Sequence, residues 1–218
     1  MFKLSPSSLG LFLECQRCFW LEKHKAWKRP AGIFPSLPSG MDKILKEHFD
    51  RFREKKQLPP ELCDNGHCEN MQLFGSTENE RKLLDLWRNN RKGIQWEDKK
   101  GNVLHGAVDD MLKKGSKLVI LDFKTRGFPL KEDTNAMYQY KMDTYSLLLL
   151  KNNHQTENYG FLLYYMPSHV TESGEVVFNK ELVKLKVDPS VAEKVFNTAI
   201  KVLNGDCPSK KCEWCEGI

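Results

Sequence analysis

The sequence lacks the long hydrophobic runs that mark a membrane span or a secretion signal. Its leucine run Leu147–Leu150 is far shorter than the ~20 apolar residues of a membrane-spanning helix. The N-terminus has no basic segment followed by a long apolar stretch, so we expect no signal peptide. Internal repeats and low-complexity segments are also missing. These absences predict a cytoplasmic protein without a membrane partner.

A strong excess of one charge is missing as well. The 34 lysines and arginines exceed the 29 acidic residues by five, a mild basic bias that is compatible with a polyanionic partner without identifying one. The 218 residues are 40% hydrophobic and 11% aromatic, which is ordinary for a folded chain and excludes wholesale disorder. We expect a single domain over residues 1–218, and nothing in the sequence indicates an oligomeric state.

A predicted β-hairpin lies in the middle of the chain. If Gly115-Ser116 is a two-residue loop, counting outward along the two strands brings Asp109 opposite Asp122. Because strand side chains alternate between faces, Lys124 shares the face of Asp122, whereas Asp110 points to the other face. Opposed carboxylates repel each other unless a divalent cation lies between them. The pattern predicts a hydrolytic metal site, with a solvated hairpin face as the alternative.

Helical and strand periodicities surround this hairpin. Apolar spacing and capping residues predict helices that begin near Ser5, at about residues 41–56, after Thr77, at about residues 135–150 and from Asp188 to Gly205. Further strands are expected at residues 94–97, 159–166 and within 175–187, with loops at 30–40 and 57–75. The alternation predicts an α/β fold with a central mixed β-sheet flanked by helices.

Two of the predicted helices carry polar residues of interest. His48 lies on the apolar stripe of the helix at 41–56, where a lone histidine is more often a core residue than a ligand. On the helix at 135–150, Lys141 and Tyr145 are four residues apart and therefore project from one face.

Three short motifs follow one another along the chain: Gly40 with His48, Gly106-x-x-Asp109, and Asp122-Phe123-Lys124-Thr125. In order and spacing, they resemble the motifs of the PD-(D/E)XK nuclease superfamily. The resemblance is to its RecB-like branch in particular, which includes CRISPR-associated adaptation nucleases and the AddB nuclease domain. Gly40 and His48 resemble the Gly…His motif, Gly106-x-x-Asp109 the G-x-x-D motif, and Asp122-Phe123-Lys124-Thr125 the D-x-K-T motif. The resemblance implies a restriction-endonuclease-like fold over most of the chain and a metal-dependent deoxyribonuclease, expected to be an exonuclease on single-stranded or frayed DNA.

The resemblance also implies roles for individual residues. The expected ligands of a Mg²⁺ or Mn²⁺ ion are His48, Asp109, Asp122 and the carbonyl oxygen of Phe123. Such a metal activates a bound water and polarises the scissile phosphate. Lys124 is expected to orient that water or to stabilise the charge that develops on the phosphate.

The helix after the lysine strand departs from the family pattern. The branch usually has Gln-x-x-x-Tyr there, whereas this chain has Lys141-x-x-x-Tyr145 with Gln139 half a turn away. Either Lys141 replaces the glutamine in supporting the site and binding DNA, or Gln139 does so. Arg126, which follows the lysine strand, is a further expected DNA contact. The alternative is a catalytically weak or inactive module that binds nucleic acid or a partner protein.

Cysteine pairs near both ends of the chain predict a second site. Seven cysteines in a reducing compartment favour metal or cluster ligation over disulfides. Cys15-x-x-Cys18 and Cys212-x-x-Cys215 together offer four thiolates, with Cys207 as an alternate ligand. Cys63 and Cys68 are interpreted as incidental thiols. Residues 1–30 and 205–218 are therefore expected to form one cysteine-ligated region.

Two centres suit four thiolates. Nucleases similar to this chain often carry a [4Fe–4S] cluster, normally with one early and three late cysteines, and that similarity implies such a cluster here. A structural Zn²⁺ ion is the alternative.

Overall fold

The computed structural model describes residues 1–32, 34–63 and 66–218. Residues 33, 64 and 65, which fall in the predicted loops, lie outside the described residues. The helices are α1 (Pro6–Glu14), α2 (Gln16–Lys23), α3 (Ser36–Glu54), α4 (Pro60–Cys63), α5 (Glu78–Arg88), α6 (Ala136–Lys151) and α7 (Pro189–Leu203). The strands are β1 (Lys3–Leu4), β2 (Gln72–Leu73), β3 (Ile94–Glu97), β4 (Val103–Gly106), β5 (Asp110–Lys114), β6 (Lys117–Thr125), β7 (Tyr159–Val170) and β8 (Val176–Lys186).

The strands form two mixed sheets. The larger sheet has the order β2-β5-β6-β7-β8, and the smaller has the order β1-β4-β3. Within the larger sheet β6 and β7 are parallel and the other neighbours are antiparallel; in the smaller sheet β1 and β4 are parallel. The predicted mixed α/β fold with flanking helices is confirmed, although the strands are divided between two sheets.

The hairpin has the predicted register. Lys114 pairs with Lys117 across the Gly115-Ser116 loop, and Asp110 pairs with Leu121 at the far end of β5. Gly115 has a φ of 58°, a left-handed conformation that glycine adopts without a Cβ clash. The pairing ends there, and Asp109 and Asp122 are the next residue on each side.

Strand β6 is buried because both faces of the larger sheet are covered. Leu118 and Ile120 join one apolar cluster, which includes residues of α1, α5, α6 and α7. Val119, Leu121 and Phe123 join the other, which includes residues of α3. A strand with two buried faces reads as a continuous apolar run, as β6 does before Asp122.

Helix α3 begins earlier than predicted. It starts at Ser36 rather than near residue 41, so the predicted loop at 30–40 is wrong for its last five residues. Pro38 does not prevent this, because the first amides of a helix have no intrahelical acceptor and the missing N–H costs no bond. The predicted loop at 57–75 also contains the short elements α4 and β2.

None of the helices that the structure describes is both long and apolar enough to cross a bilayer.

Candidate functional site

The opposed aspartates lie at one end of the hairpin. Asp122 is in β6 and its side chain is fully buried, whereas the side chain of Asp109, just before β5, is 17% exposed. The backbone N–H of Phe123 donates to Asp109 Oδ2 over 3.0 Å, which ties the two strands together at this point. The hairpin therefore holds two carboxylates beside each other at the edge of the core.

Three lysines surround this acidic pair. Lys124 Nζ forms an ion pair with Asp122 Oδ2 and donates to the carbonyl oxygen of Phe123 over 3.2 Å. Lys141 Nζ lies 2.8 Å from Asp122 Oδ1, and Lys46 Nζ lies 3.5 Å from Asp109 Oδ1. Asp122 Oδ1 is buried, and the Lys141 ammonium group is the partner that the described residues provide for it.

The charges in this group shift one another's protonation. Burial opposes ionisation of Asp109, but the charges of Lys141, Lys46 and Lys124 outweigh it and lower the pKa of the carboxyl group. Burial, reinforced by the charge of Lys141, lowers the pKa of Lys124 to about 7. Burial also opposes the charge on Lys141, yet its interactions with Tyr145 and Asp109 raise its pKa. Near neutral pH Lys124 can therefore lose its proton while Lys141 remains charged.

The oxygen atoms here suit a hard divalent cation. Two carboxylates and the Phe123 carbonyl oxygen are the donor types that Mg²⁺ and Mn²⁺ take, and Asp122 Oδ1 makes an ion pair with Lys141 but no other polar contact among the described residues. Without such an ion, the ammonium groups of the three lysines balance the negative charge of the two carboxylates. Asp109, Asp122 and Phe123 therefore could hold such an ion.

His48 lies away from this group. Its Nε2 is 3.3 Å from Glu61 Oε2, and its ring packs against Phe49 and Phe52. Among the described residues, His48 does not form a set at metal-ligand spacing with the two aspartates. Helix α3 presents Lys46 to Asp109, and His48, two residues later, is turned by about 200° around the helix axis. The structure thus does not bring together all the ligands that the resemblance implies.

Helix α6 places Lys141, rather than Gln139, at the acidic pair. Gln139 Nε2 donates to Asp143 Oδ1 and to the carbonyl oxygen of Lys186, both over 2.8 Å, so its amide is engaged elsewhere. Lys141 Nζ lies 5.5 Å from the centre of the Tyr145 ring as it reaches Asp122. Of the two arrangements that the sequence left open, the geometry supports the one with Lys141.

Tyr145 is held by the chain segment that directly follows β4. Its hydroxyl donates to the carbonyl oxygen of Ala107 over 2.5 Å. Gly106 permits this approach, because a Cβ at that position would lie 2.8 Å from Tyr145 Cε1. The glycine of the G-x-x-D motif therefore makes room for the tyrosine that supports Lys141.

A buried charge network behind Asp109 is not part of the sequence prediction. Arg88 donates from Nε to the Asp109 carbonyl oxygen over 2.9 Å and from Nη2 to Asp110 Oδ2 over 2.8 Å. Arg53 pairs with the other oxygen of Asp110, and both arginines also contact Asp50. The side chains of Asp110 and Arg53 are 0% and 1% exposed. The sequence signal was limited to the prediction that Asp110 points to the face opposite Asp109; that this face is buried, and that its carboxylate therefore requires a cationic partner, is seen only in the structure.

An open groove lies beside the acidic pair. Its walls come from α1 and α6, and its lining includes Leu13, Glu14, Lys124, Met137, Tyr138, Tyr140 and Lys141. Lys124 Nζ lies 4.7 Å from the centre of the Tyr138 ring. Leu13 and Met137 are more than half exposed, so the groove presents apolar as well as cationic surface. The predicted DNA contact Arg126 is half-buried just after β6, and its backbone N–H donates to Tyr165.

The four predicted cysteines form a compact cluster that joins the ends of the chain. Sγ–Sγ distances are 4.0 Å for Cys15 and Cys215, 3.5 Å for Cys18 and Cys212, and 3.8 Å for Cys212 and Cys215. All four sulfurs lie within 4.8 Å of one another. The structure therefore brings together the two Cys-x-x-Cys pairs. The alternate, Cys207, instead accepts a hydrogen bond from Arg17 over 3.4 Å.

Cationic and amide groups surround these thiols. Arg29 Nη2 lies 3.7 Å from Cys212 Sγ, and the backbone N–H of Cys18 donates to Cys15 Sγ over 3.5 Å. Burial raises the pKa of Cys18 to about 12. At Cys212 the hydrogen bonds of Cys18 and of neighbouring backbone amides outweigh desolvation and lower the pKa to about 6. The surroundings therefore favour thiolate charge at Cys212 and oppose it at Cys18.

Comparisons with known proteins identify a family that matches this chain. The family model described as the PD-(D/E)XK nuclease superfamily matches residues 3–217. No curated protein matches the chain significantly. Among solved structures, one described as "Crystal structure of SSO0001" has 12% identity and a TM-score of 0.43, with 98% of this chain and 82% of that chain covered. The family match spans nearly the whole chain, so the resemblance to the superfamily is confirmed.

Proposed function

Because the chain belongs to the PD-(D/E)XK nuclease superfamily, we propose that it is a Mg²⁺- or Mn²⁺-dependent deoxyribonuclease. The observation that carries this proposal is the fully buried carboxylate of Asp122, whose two oxygens contact the ammonium groups of Lys124 and Lys141. Asp109 supplies the second carboxylate on the same side of the hairpin. A pair of this kind beside a lysine suits hydrolysis of a phosphodiester bond.

The metal ligands in this proposal are Asp109, Asp122 and the carbonyl oxygen of Phe123. A bound Mg²⁺ or Mn²⁺ ion would polarise the scissile phosphate and lower the pKa of a bound water. His48 lies against Glu61 in this structure, and the three-residue set does not depend on it.

Lys124 and Lys141 have different roles in this proposal. Lys124, with a pKa of about 7, orients the attacking water and can accept its proton. Lys141, whose raised pKa keeps it charged, stabilises the negative charge that develops on the phosphate. Tyr145 holds Lys141 in place through ring contact and its bond to Ala107.

The substrate in this proposal is DNA with unpaired bases, as single strands or frayed ends, degraded exonucleolytically. Support comes from the groove between α1 and α6, where Tyr138 and Tyr140 lie beside Lys124. Aromatic rings can stack on unpaired bases of any sequence, while lysines and arginines neutralise the backbone. Lys141 and Arg126 are the proposed phosphate contacts.

The cysteine cluster binds a metal centre in this proposal. Four thiolates suit a [4Fe–4S] cluster or a zinc ion, and either would join the termini. The cysteines are free rather than disulfide-bonded, which fits the reducing cytoplasm as the site of action.

The test is cleavage of end-labelled single-stranded DNA with Mn²⁺. Wild type should degrade the substrate, and Asp122→Ala and Lys124→Ala should each abolish degradation while the circular dichroism spectrum is unchanged. Gln139→Ala is the matched control on α6, because its amide faces away from the site. Undiminished cleavage by either site variant would remove this assignment.

A binding module is the second candidate function. The observation that favours it is Lys141 at the position where similar nucleases usually have glutamine, because its ammonium group already contacts Asp122. Measuring DNA affinity alongside cleavage separates the two functions. A module binds DNA without turnover in Mn²⁺, whereas a nuclease turns it over.

A further inference from the structure

The spacing of the four cysteine sulfurs distinguishes between the two centres that four thiolates suit. In a tetrahedral zinc site each sulfur lies about 2.3 Å from the metal, which places neighbouring sulfurs about 3.8 Å apart. The sulfurs of the cluster are separated by 3.5, 3.8 and 4.0 Å along Cys18–Cys212, Cys212–Cys215 and Cys15–Cys215. These three separations match those around a single tetrahedral ion, and every other pair of sulfurs in the cluster lies within 4.8 Å.

A [4Fe–4S] cluster requires a different arrangement. Each thiolate binds a different iron at a separate corner of the cube, so the four sulfurs must stand farther apart than around one ion. Here no pair of the four exceeds 4.8 Å. Cys15, Cys18 and Cys215 are also buried in an apolar cluster with Leu21, against which Trp27 packs. The chain would have to open around the sulfurs to admit four irons and four sulfides.

Disulfide bonds do not explain the spacing either. A disulfide requires about 2.05 Å between sulfurs, and the shortest separation here, between Cys18 and Cys212, is 3.5 Å. The two Cys-x-x-Cys pairs are therefore arranged to bind one metal ion together rather than to form disulfide bonds with each other.

The groups around the sulfurs complement a zinc–thiolate centre. Zn²⁺ with four thiolates has a net charge of −2. Arg29 Nη2 lies 3.7 Å from Cys212 Sγ, and backbone N–H groups donate to Cys15 and Cys215. Such contacts offset the charge and orient the ligands.

We propose that Cys15, Cys18, Cys212 and Cys215 bind one Zn²⁺ ion as a closed structural site. With four protein ligands the ion has no open position, which is typical of structural rather than catalytic zinc. The ion joins the start of α2 to the C-terminal segment, and Cys15 directly follows α1, a wall of the groove beside Lys124. The inference is independent of whether the acidic pair cleaves DNA.

The test is metal and sulfide analysis of the full chain, purified anaerobically from cells supplied with both iron and zinc. The expected result is one zinc per chain, no acid-labile sulfide and no visible charge-transfer absorbance. Iron and sulfide in equal amounts with visible absorbance would overturn the proposal. A folded chain that contains neither metal would also overturn it.

Cysteine variants show whether these four residues hold the ion. Cys212→His should retain zinc, because tetrahedral sites accept three cysteines and one histidine. Cys18→Ser combined with Cys212→Ser should lose it and lower the unfolding temperature. Cys207→Ser is the matched control, since Cys207 contacts Arg17 rather than the cluster. Zinc retained by the double variant, or lost from Cys207→Ser, would refute the ligand set.

Discussion

Asp109 and Asp110 are adjacent in the sequence, and the structure predicts opposite consequences for replacing them. Asp110 is fully buried and pairs with both Arg53 and Arg88. In Asp110→Asn the amide N–H₂ group faces a guanidinium, and the charge that balances two arginines is lost. Removing one partner of a buried ion pair costs about 3–5 kcal/mol in the free energy of unfolding. With a urea m-value of about 2 kcal/mol/M, the unfolding midpoint should fall by about 2 M.

Asp109→Asn should have a much smaller effect on stability. Its side chain is partly exposed, and the asparagine oxygen can still accept the Phe123 N–H. We expect a change within about 1 kcal/mol, because that hydrogen bond is preserved. Cleavage should nevertheless be abolished, since a neutral amide is a poor ligand for a divalent metal.

Urea unfolding followed by circular dichroism, with cleavage measured on the same samples, compares the two variants directly. If Asp110→Asn changes the free energy of unfolding by less than 1 kcal/mol, or if Asp109→Asn is the more destabilising of the two, the assignment of their faces is wrong.

Other substitutions test how Gly106 and Lys141 contribute to the site. Gly106→Ala should lower the free energy of unfolding by about 1–3 kcal/mol, because the added Cβ would overlap Tyr145. Gly40 is exposed in α3 and has open space around it, so Gly40→Ala should raise the free energy of unfolding by about 0.5–1 kcal/mol. If the two alanine variants had equal effects in urea unfolding, the close approach of Tyr145 to Gly106 would be contradicted. Lys141→Met should slow cleavage by roughly 10²–10³-fold, as removal of a charge-stabilising donor does, whereas Gln139→Leu should leave the rate unchanged. A rate loss confined to Gln139→Leu would reverse the assignment on α6.

The hairpin was predictable because its determinants are local. A two-residue loop at Gly115-Ser116 fixes the register, and the register fixes which side chains share a face. That is why Asp109 could be separated from Asp110 without knowledge of any long-range contact. The cysteine cluster was predictable for a different reason. Two Cys-x-x-Cys pairs together offer the four thiolates of a metal site, and this spacing indicates metal ligation even when the pairs lie at opposite ends of the chain.

Long-range pairing could not be read from the sequence. Arg53 and Arg88 are separated from Asp110 by 57 and 22 residues, and nothing local indicates which acidic residue each will meet. The position of His48 on an apolar stripe likewise shows that it faces the core, but not which part of the core. In the structure the helix presents Lys46 to Asp109, and His48 meets Glu61 instead.

In the proposed function, a divalent metal ion bound at Asp109 and Asp122 promotes hydrolysis of DNA. The most direct test of this claim is the initial rate of cleavage of end-labelled single-stranded DNA by the wild-type chain, measured in Mn²⁺ and again in EDTA. We predict degradation in Mn²⁺ and none in EDTA. Equal rates in both conditions, or DNA bound in Mn²⁺ without cleavage, would contradict the claim.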